Sequence, residues 1–280
     1  MEAYMPEENV VKRNVFEGDI YLDKSTENIL EQLMSPTREA LVNPISHWKD
    51  GRVPYQFGPV SDEVKRVFKE AIAEYKKHTC IEFVPRTSER DYIYVVAETG
   101  CWSSVGRSGY RQKLSIGTNC ERKGTVMHEM MHALGFFHEQ SRLDRDDYIS
   151  IHWENIDPKK RFNFQKYEHG QADTLGARYD YGSIMHYPMY AFTNNGRATI
   201  VPKDPNAEIG QRTHLSNIDI QQVNKLYKCQ ATTTPAPTPA PTTKPCTDKL
   251  DVCYYYAYFG YCSYYREFMS TNCRKSCFVC

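Results

Sequence analysis

The clearest hydrophobic periodicity in the chain follows Ser61. Apolar side chains recur there at intervals of three and four residues, which places them on one face of a helix; they are Val64, Val67, Phe68, Ala71, Ile72 and Tyr75. The hydroxyl of Ser61 can cap this helix at its first turn. Two apolar segments bounded by turn residues, 81–85 and 92–97, predict strands.

Two further helices are predicted from their end signals. The first covers about residues 125–134 and is stopped by Gly135. The second covers about 217–227, with Ser216 as its N-cap and Asp219 at the position of a capping-box acid. Residues 141–190 are rich in aromatic side chains but show little periodicity. Helices and strands together predict an α+β fold.

Composition narrows the class of protein. The chain has 280 residues, 40% of them hydrophobic, which is enough for a real core and fits one large domain with a small addition. Lys+Arg and Asp+Glu number 35 each. This zero net charge argues against a nucleic-acid partner or a polybasic membrane protein, because both need excess positive charge. No apolar stretch approaches the roughly 20 residues that cross a bilayer, so no membrane span is predicted.

The cysteines and one low-complexity segment predict the organisation of the chain. Residues 231–245 alternate Thr, Pro and Ala, which cannot form a core and favours an extended spacer. Six of the ten cysteines follow this spacer. That crowding favours disulfides and an oxidising compartment over scattered buried thiols. The first fourteen residues are polar and contain no secretory signal, and we interpret the sequence as starting downstream of the true N-terminus of a secreted protein.

The chemistry of the chain is concentrated in residues 128–139, HEMMHALGFFHE. Four helical residues turn through about 400°, so His128 and His132 lie on one face and can bind one ion. Glu129 lies close enough to reach a water at that ion. Gly135 lets the chain leave the helix and return His138 as a third ligand. Three imidazoles leave one zinc position open, which is typical of a catalytic site; the alternative, a helix that contains three histidines by chance, is disfavoured by the five specified residues.

This extended motif, followed directly by Glu139, resembles the astacin family of zinc endopeptidases within the metzincins. Residues 183–187, SIMHY, resemble the family's Met-turn. The resemblance implies a two-lobed protease domain with a mixed sheet and long helices, and one zinc ion held by His128, His132 and His138. It also implies that Met185 lies beneath the zinc. Glu129 is then the general base, and Tyr187 both ligates zinc at rest and donates a hydrogen bond to the transition-state oxyanion.

The N-terminal segment resembles a propeptide of the same family. Phe16, Gly18 and Asp19 match its FxGD element, which implies that Asp19 occupies the fourth zinc position in a zymogen; the alternative is a turn in a surface loop. Residues 39–48 resemble the mature N-terminus of family members. This implies activation by a trypsin-like protease between Arg38 and Glu39, after which the new amino group of Glu39 pairs with Glu139.

The resemblance also implies the bridges Cys80–Cys229 and Cys101–Cys120. The last 35 residues are too few for a core without covalent links, and their cysteine spacing resembles the ShKT module of potassium-channel toxins. This implies three bridges there: Cys246–Cys280, Cys253–Cys273 and Cys262–Cys277. Glu267 and Phe268 replace the Lys-Tyr pair of channel-blocking toxins, which argues against channel block. The tyrosine run at 254–256 fits either an adhesive surface or the filling of a very small core.

The sequence therefore predicts four segments: a propeptide at 1–38, a catalytic domain at 39–230, a linker at 231–245 and a ShKT domain at 246–280. The predicted function is secreted, zinc-dependent hydrolysis of peptide bonds in extracellular proteins. The expected partners are protein or peptide substrates, the activating protease, and a matrix or cell-surface partner of the ShKT domain. Two other classes of protein remain open: a toxin-like binding protein with an inactive protease domain, and a matrix protein that adheres through its tyrosines. The intact histidines and Glu129 argue against the first.

Overall fold

The computed structural model describes residues 15–33, 47–166, 174–229, 248–250, 252–253, 257, 262 and 265–277. The chain divides into two compact units, Met1–Gln230 and Ala231–Cys280. Several predicted features lie outside the described residues: the cleavage site at Arg38 and Glu39, the linker at 231–245, the tyrosine run at 254–256, and Cys246 with Cys280.

A mixed sheet forms one layer of the larger unit. Its described strands are β1 (Val15–Phe16), β2 (Ile20–Tyr21), β3 (Arg52–Phe57), β4 (Glu82–Pro85), β5 (Tyr92–Val96), β6 (Cys101–Ser103) and β7 (Arg111–Ile116), in the order β1-β2-β6-β7-β5-β3-β4. Strand β3 runs parallel to β4 and β5, and β5 runs parallel to β7. Strand β6 is antiparallel to β7, and the N-terminal β2 adds to β6 in parallel. The predicted α+β class with a mixed sheet is confirmed.

Four α-helices form most of the remaining regular structure described in the larger unit. They are α1 (Lys24–Leu33), α2 (Asp62–His78), α3 (Lys123–Ala133) and α4 (Asn217–Leu226). The predicted cap of α2 is confirmed, because the Ser61 hydroxyl accepts a hydrogen bond from the amide of Val64 at 3.2 Å. The capping box of α4 is also confirmed, with Ser216 and Asp219 each accepting from the other's backbone amide.

The main core lies between the sheet, α2 and α3, and it holds α3 at its middle and at its C-terminal end. Tyr75 on α2 is fully buried, and its hydroxyl donates to the backbone oxygen of Met127 at 2.8 Å. The indole of Trp48 donates to the backbone oxygen of Ala133, also at 2.8 Å. Two buried hydrogen bonds to carbonyls of α3 thus fix the helix that carries the histidine motif.

The chain after α3 is mostly irregular, as predicted for residues 141–190. It contains short 3-10 helices and one two-stranded antiparallel sheet, made of β8 (Ile149–Ile151) and β9 (Ile200–Pro202). A second apolar cluster fills this region, with Ile149, Ile156, Phe164, Tyr179, Tyr187 and Ile200 as its buried members. The ring of Tyr187 packs in this cluster against the rings of Phe164 and Phe192.

The smaller unit contains a short helix, α5 (Arg266–Asn272), and a core of cysteines around Met269. Its described bridges join Cys253 to Cys273 and Cys262 to Cys277. The carboxylate of Asp248 accepts hydrogen bonds from the backbone amides of Lys275 and Ser276. Among all described residues of the chain, no helix is both long and apolar enough to cross a membrane.

Candidate active site

Helix α3 and the turn after it bring three histidines together. The rings of His128 and His132, one helical turn apart, have centroids 4.8 Å from each other. Gly135 takes a φ of 109°, which strongly favours glycine, and the chain turns back there. The ring of His138 then stacks on that of His128 at a centroid distance of 5.2 Å and meets that of His132 edge-on at 4.7 Å. All three side chains are buried.

Each imidazole is oriented by a contact at its Nδ1 atom. The partners lie at 2.8, 2.8 and 2.7 Å and are the backbone oxygen of Ile184 for His128, the backbone oxygen of Phe136 for His132 and the carboxylate of Glu17 for His138. Carbonyl and ionised carboxylate oxygens only accept hydrogen bonds, so Nδ1 must carry the proton. In a neutral imidazole with this tautomer, Nε2 has the lone pair that can bind a metal.

The fourth side chain of the cluster is Asp19. Its Oδ2 lies 3.1 Å from His128 Nε2, and its Oδ1 lies 3.5 Å from His132 Nε2 and 3.2 Å from His138 Nε2. One ligand atom from each of these four residues lies within 4.8 Å of the other three. His132 Nε2 and Asp19 Oδ1 are buried without a hydrogen-bond partner. Three imidazole nitrogens and a carboxylate oxygen are the donor set of a zinc site, and the unpartnered atoms fit a cation between them.

The electrostatic environment separates neutral from ionised groups. Burial lowers the pKa of His128 to about 3 and also lowers the pKa of His132. Burial would raise the pKa of Asp19, but the charge of a protonated His138 and the contacts with the other two imidazoles hold it well below its usual value. Burial would lower the pKa of His138, but the carboxylates that face it raise that pKa to about 9, so a metal ion must displace the proton from its Nε2. Burial, together with the charge of Asp19, raises the pKa of Glu129 well above its usual value. The helix histidines are thus neutral and able to bind a metal, and Asp19 is ionised.

Glu129 and Tyr187 lie beside the cluster. Glu129 is 1% exposed, and its Oε2 has no hydrogen-bond partner. The ring of Tyr187 lies 4.6 Å from that of His138, and its hydroxyl donates to the backbone oxygen of Glu17. Met185, in the same turn, is 2% exposed and accepts a hydrogen bond from the amide of Glu139. The described structure therefore gathers the motif of α3, residues 183–187 and the N-terminal segment at one place.

The N-terminal segment is packed into the larger unit over its described length. The amide of Ser103 on β6 donates to the backbone oxygen of Asp19 at 2.9 Å. The carboxylate of Asp23 accepts from the hydroxyls of Ser104 and Ser108, both at 2.8 Å. A separate apolar cluster joins this segment to the rest of the unit, with Ile20, Ile29, Leu30, Val105 and Phe137 as its buried members.

Two residues of this segment, Glu17 and Asp23, were not identified from the sequence. Glu17 occupies the unspecified position of the FxGD element, and its partner His138 is 121 residues away. No local pattern marks such a contact. Asp23 had a detectable signal, because an Asp three residues before Thr26 can cap a helix, and its carboxylate accepts from the Thr26 amide at 2.8 Å.

Glu139 follows the third histidine of the motif directly and is not a member of the four-residue cluster. One oxygen of its carboxylate accepts from the amide of Asp180 at 2.8 Å and from Arg142 Nη1 at 3.1 Å. Burial raises the pKa of Glu139 to about 8, against the opposing effect of the Arg142 charge. Glu39 lies outside the described residues, so its pairing with Glu139 stays a prediction.

The described part of the larger unit contains two disulfide bridges. Cys80, just after α2, is bonded to Cys229, just after α4, with their Cα atoms 5.4 Å apart. Cys101 on β6 is bonded to Cys120, which precedes α3, at a Cα separation of 5.7 Å. The second bridge therefore joins β6, the strand that pairs with the N-terminal segment, to the residues that immediately precede α3.

Comparison with known proteins gives consistent matches for both units. The family model Astacin, which describes a peptidase family, matches residues 40–228, and the model ShK domain-like matches residues 245–280. Zinc metalloproteinase nas-13 of Caenorhabditis elegans is 44% identical over 217 residues, 76% of this chain and 48% of that protein. Meprin A subunit beta of Mus musculus is 41% identical over 223 residues, 78% of this chain and 30% of that protein. The chain thus spans about half the length of these curated relatives, or less.

A solved structure resembles the larger unit over the full length of the solved chain. It is High choriolytic enzyme 1, a hatching enzyme zinc-protease from Oryzias latipes. The two chains are 41% identical, with a TM-score of 0.63, and the match covers 71% of this chain and 100% of the other.

Proposed function

The chain belongs to the astacin family of peptidases, and we propose that it is a zinc-dependent endopeptidase, synthesised as a zymogen and secreted, that hydrolyses peptide bonds of extracellular proteins. The observation that carries this proposal is the convergence of three buried imidazole Nε2 atoms on one point that also faces Asp19. The Nδ1 contacts fix the tautomer that metal binding requires. Glu129 follows His128 directly on the same helix, so its carboxylate can reach a water at this point and act as the general base.

In this proposal, each side chain has a defined task. His128, His132 and His138 hold zinc, which when bound lowers the pKa of water and polarises a scissile carbonyl. The Glu129 carboxylate accepts a proton from the attacking water and delivers it to the leaving nitrogen. The Tyr187 hydroxyl donates to the oxygen of the reacting carbonyl, where such a donor is worth about 2.7–4 kcal/mol of barrier. In the uncleaved chain that hydroxyl is occupied by the backbone oxygen of Glu17.

Latency follows from the position of the N-terminal segment. Asp19 faces the three Nε2 atoms, and the tether raises its local concentration far above that of a free acid. The backbone of the same segment pairs with β6, the strand beside the site. We propose that cleavage between Arg38 and Glu39 by a trypsin-like protease releases residues 1–38, and that the new amino group of Glu39 settles at Glu139.

The remaining segments are assigned by the same proposal. Residues 39–230 form the catalytic domain, 231–245 a linker and 246–280 a ShKT domain. Disulfides in both units support secretion, because such bonds persist in oxidising compartments. The ShKT domain is proposed to contact a matrix or cell-surface partner. Its described apolar side chains at Val252 and Phe268 are 44% and 49% exposed.

The experiment that tests the proposed function compares the uncleaved chain with the chain after limited trypsin treatment. Hydrolysis of a quenched fluorescent peptide and zinc content are measured on both, with and without a chelator. We expect zinc in both forms, hydrolysis only after trypsin, and loss of hydrolysis with the chelator. A zinc-loaded, trypsin-treated chain that hydrolyses no peptide from a broad library would favour the binding-protein or matrix-protein alternatives.

A further inference from the structure

The three proposed zinc ligands differ in where their Nδ1 partners come from. For His128 and His132 the partners are backbone oxygens at Ile184 and Phe136, both within the segment that matches the peptidase family. For His138 the partner is the side chain of Glu17, in the segment that activation would remove. One of three ligands is therefore oriented by a group that the cleaved enzyme lacks.

The contact between Glu17 and His138 is close and sealed from solvent. Glu17 Oε2 lies 2.7 Å from His138 Nδ1, and neither side chain has measurable exposure. Glu17 takes a φ of 50° and Gly18 a φ of 86°, so two successive residues adopt the left-handed conformation. This conformation is uncommon for a residue with a side chain and marks a functional constraint when it occurs at a site. Here it turns the carboxylates of both Glu17 and Asp19 toward the histidines.

The chemistry of this contact acts on the metal through His138. A carboxylate that accepts a hydrogen bond from a ligating imidazole fixes the ring and increases the basicity of its other nitrogen. Charge balance adds to the effect. A buried divalent cation is stabilised by carboxylates in addition to that of Asp19, and the Glu17 carboxylate lies 2.7 Å from the ligand ring.

We propose that Glu17 is a positioning residue for the zinc site of the uncleaved chain, and that through His138 it makes this form hold zinc more tightly than the activated enzyme does. The proposal rests on the zinc site of the proposed function. Asp19 occupies the open metal position, whereas Glu17 acts on His138 through Nδ1, the ring nitrogen that does not face the metal. The metal is thus retained before activation, and the same cleavage that opens the cleft removes the additional hold on zinc.

The test measures the rate of zinc release from uncleaved chains into an excess of a chromogenic chelator. Three chains are compared: wild type, Glu17→Gln and the matched control Glu31→Gln. Glu31 lies exposed on α1 in the same N-terminal segment, so the control removes an equal charge away from the site. We expect Glu17→Gln to lose zinc about 10- to 100-fold more readily, the range found when partners of metal ligands are replaced. Glu31→Gln should match wild type.

Activation provides an internal control. Residue 17 leaves with the propeptide, so after trypsin treatment and removal of that segment the three preparations contain the same enzyme. Their zinc release must then agree, and each must be faster than that of the uncleaved wild type. A difference that persists after cleavage, or release from uncleaved Glu17→Gln within twofold of wild type, overturns the proposal.

A second measurement separates positioning from a loosened propeptide. The uncleaved chains are loaded with Co²⁺, whose visible absorption bands depend on the ligand set. If Asp19 still faces the metal in Glu17→Gln, its spectrum keeps the intensity pattern of the uncleaved wild type, as we expect. A spectrum like that of the cleaved enzyme means that Asp19 has left, and the role of Glu17 at His138 is then refuted. Failure of wild type to bind one zinc would instead refute the proposed function.

Discussion

Asp23 provides the sharpest test of how the N-terminal segment is held, because it lies outside the FxGD element. One carboxylate oxygen caps α1 through the amide of Thr26 at 2.8 Å. The other accepts from the hydroxyls of Ser104 and Ser108, both at 2.8 Å. Replacing Asp23 with Ala removes all three hydrogen bonds without touching the proposed zinc ligands.

The free energy of docking lost in Asp23→Ala is the sum of these three contacts. The cap of α1 is worth about 1 kcal/mol. Each hydroxyl bond to the charged group contributes about 1–1.5 kcal/mol, at or below the low end for charged acceptors because Asp23 is only partly buried. The total is about 3–4 kcal/mol, and each 1.4 kcal/mol is a factor of ten in an equilibrium constant. The undocked fraction of the segment should therefore rise by roughly 100- to 1,000-fold.

The assay is peptide hydrolysis by uncleaved protein, with Arg38→Gln added in every chain so that activation cannot occur. Residual hydrolysis should increase in proportion to the undocked fraction, as long as the docked form remains the majority. Glu31→Gln serves as the charge-matched control and should leave residual hydrolysis unchanged. If Asp23→Ala behaves like that control, these three contacts do not hold the segment in place.

Three further predictions concern the site and the linker. Glu129→Gln should keep its zinc, measured by metal analysis, but lose about 100- to 10,000-fold in peptide hydrolysis, the range typical of a lost general base; substantial turnover would exclude Glu129 from that role. Uncleaved Asp19→Ala should hydrolyse peptide measurably yet less than the cleaved enzyme, because the other contacts of the segment remain; activity equal to uncleaved wild type would move the block from Asp19 to the covering chain. Limited proteolysis should nick residues 231–245 first, and the product ending near Cys229 should stay active once activated; loss of activity on release of the smaller unit would contradict the independence of the two.

The elements that could be predicted from the sequence are those with complete local signals. Helix α2 combines a capping serine with a long apolar face, and α4 carries both members of its capping box. The approach of the three histidines followed from helix geometry and one glycine. In each case the determining residues lie within a few positions of one another along the chain, so no knowledge of distant partners was needed.

The strands beside the site were not predicted, because their sequences do not resemble strands. Strand β7 reads RQKLSI, yet Gln112 and Ser115 are almost fully buried. They are tolerated because Gln112 donates to the backbone oxygen of Gly106 at 2.8 Å and Ser115 to that of Glu98 at 3.0 Å. Burial of hydrogen-bonded polar side chains costs little, but it removes the alternation of apolar and polar residues from which a strand is predicted. Strand β6, only three residues long, carries even less signal.

The site residues show the same division between local and distant determinants. The motif on α3 specifies His128, Glu129 and His132 by spacing alone. Glu17 depends on a contact across 121 residues and on a left-handed turn that brings it to His138. In the proposed zymogen this turn brings carboxylates to the metal and docks the segment, so by linkage zinc and the docked segment stabilise each other. The uncleaved chain is therefore expected to gain its metal and its latency together, since the carboxylates that close the site are also those that offset the charge of the ion.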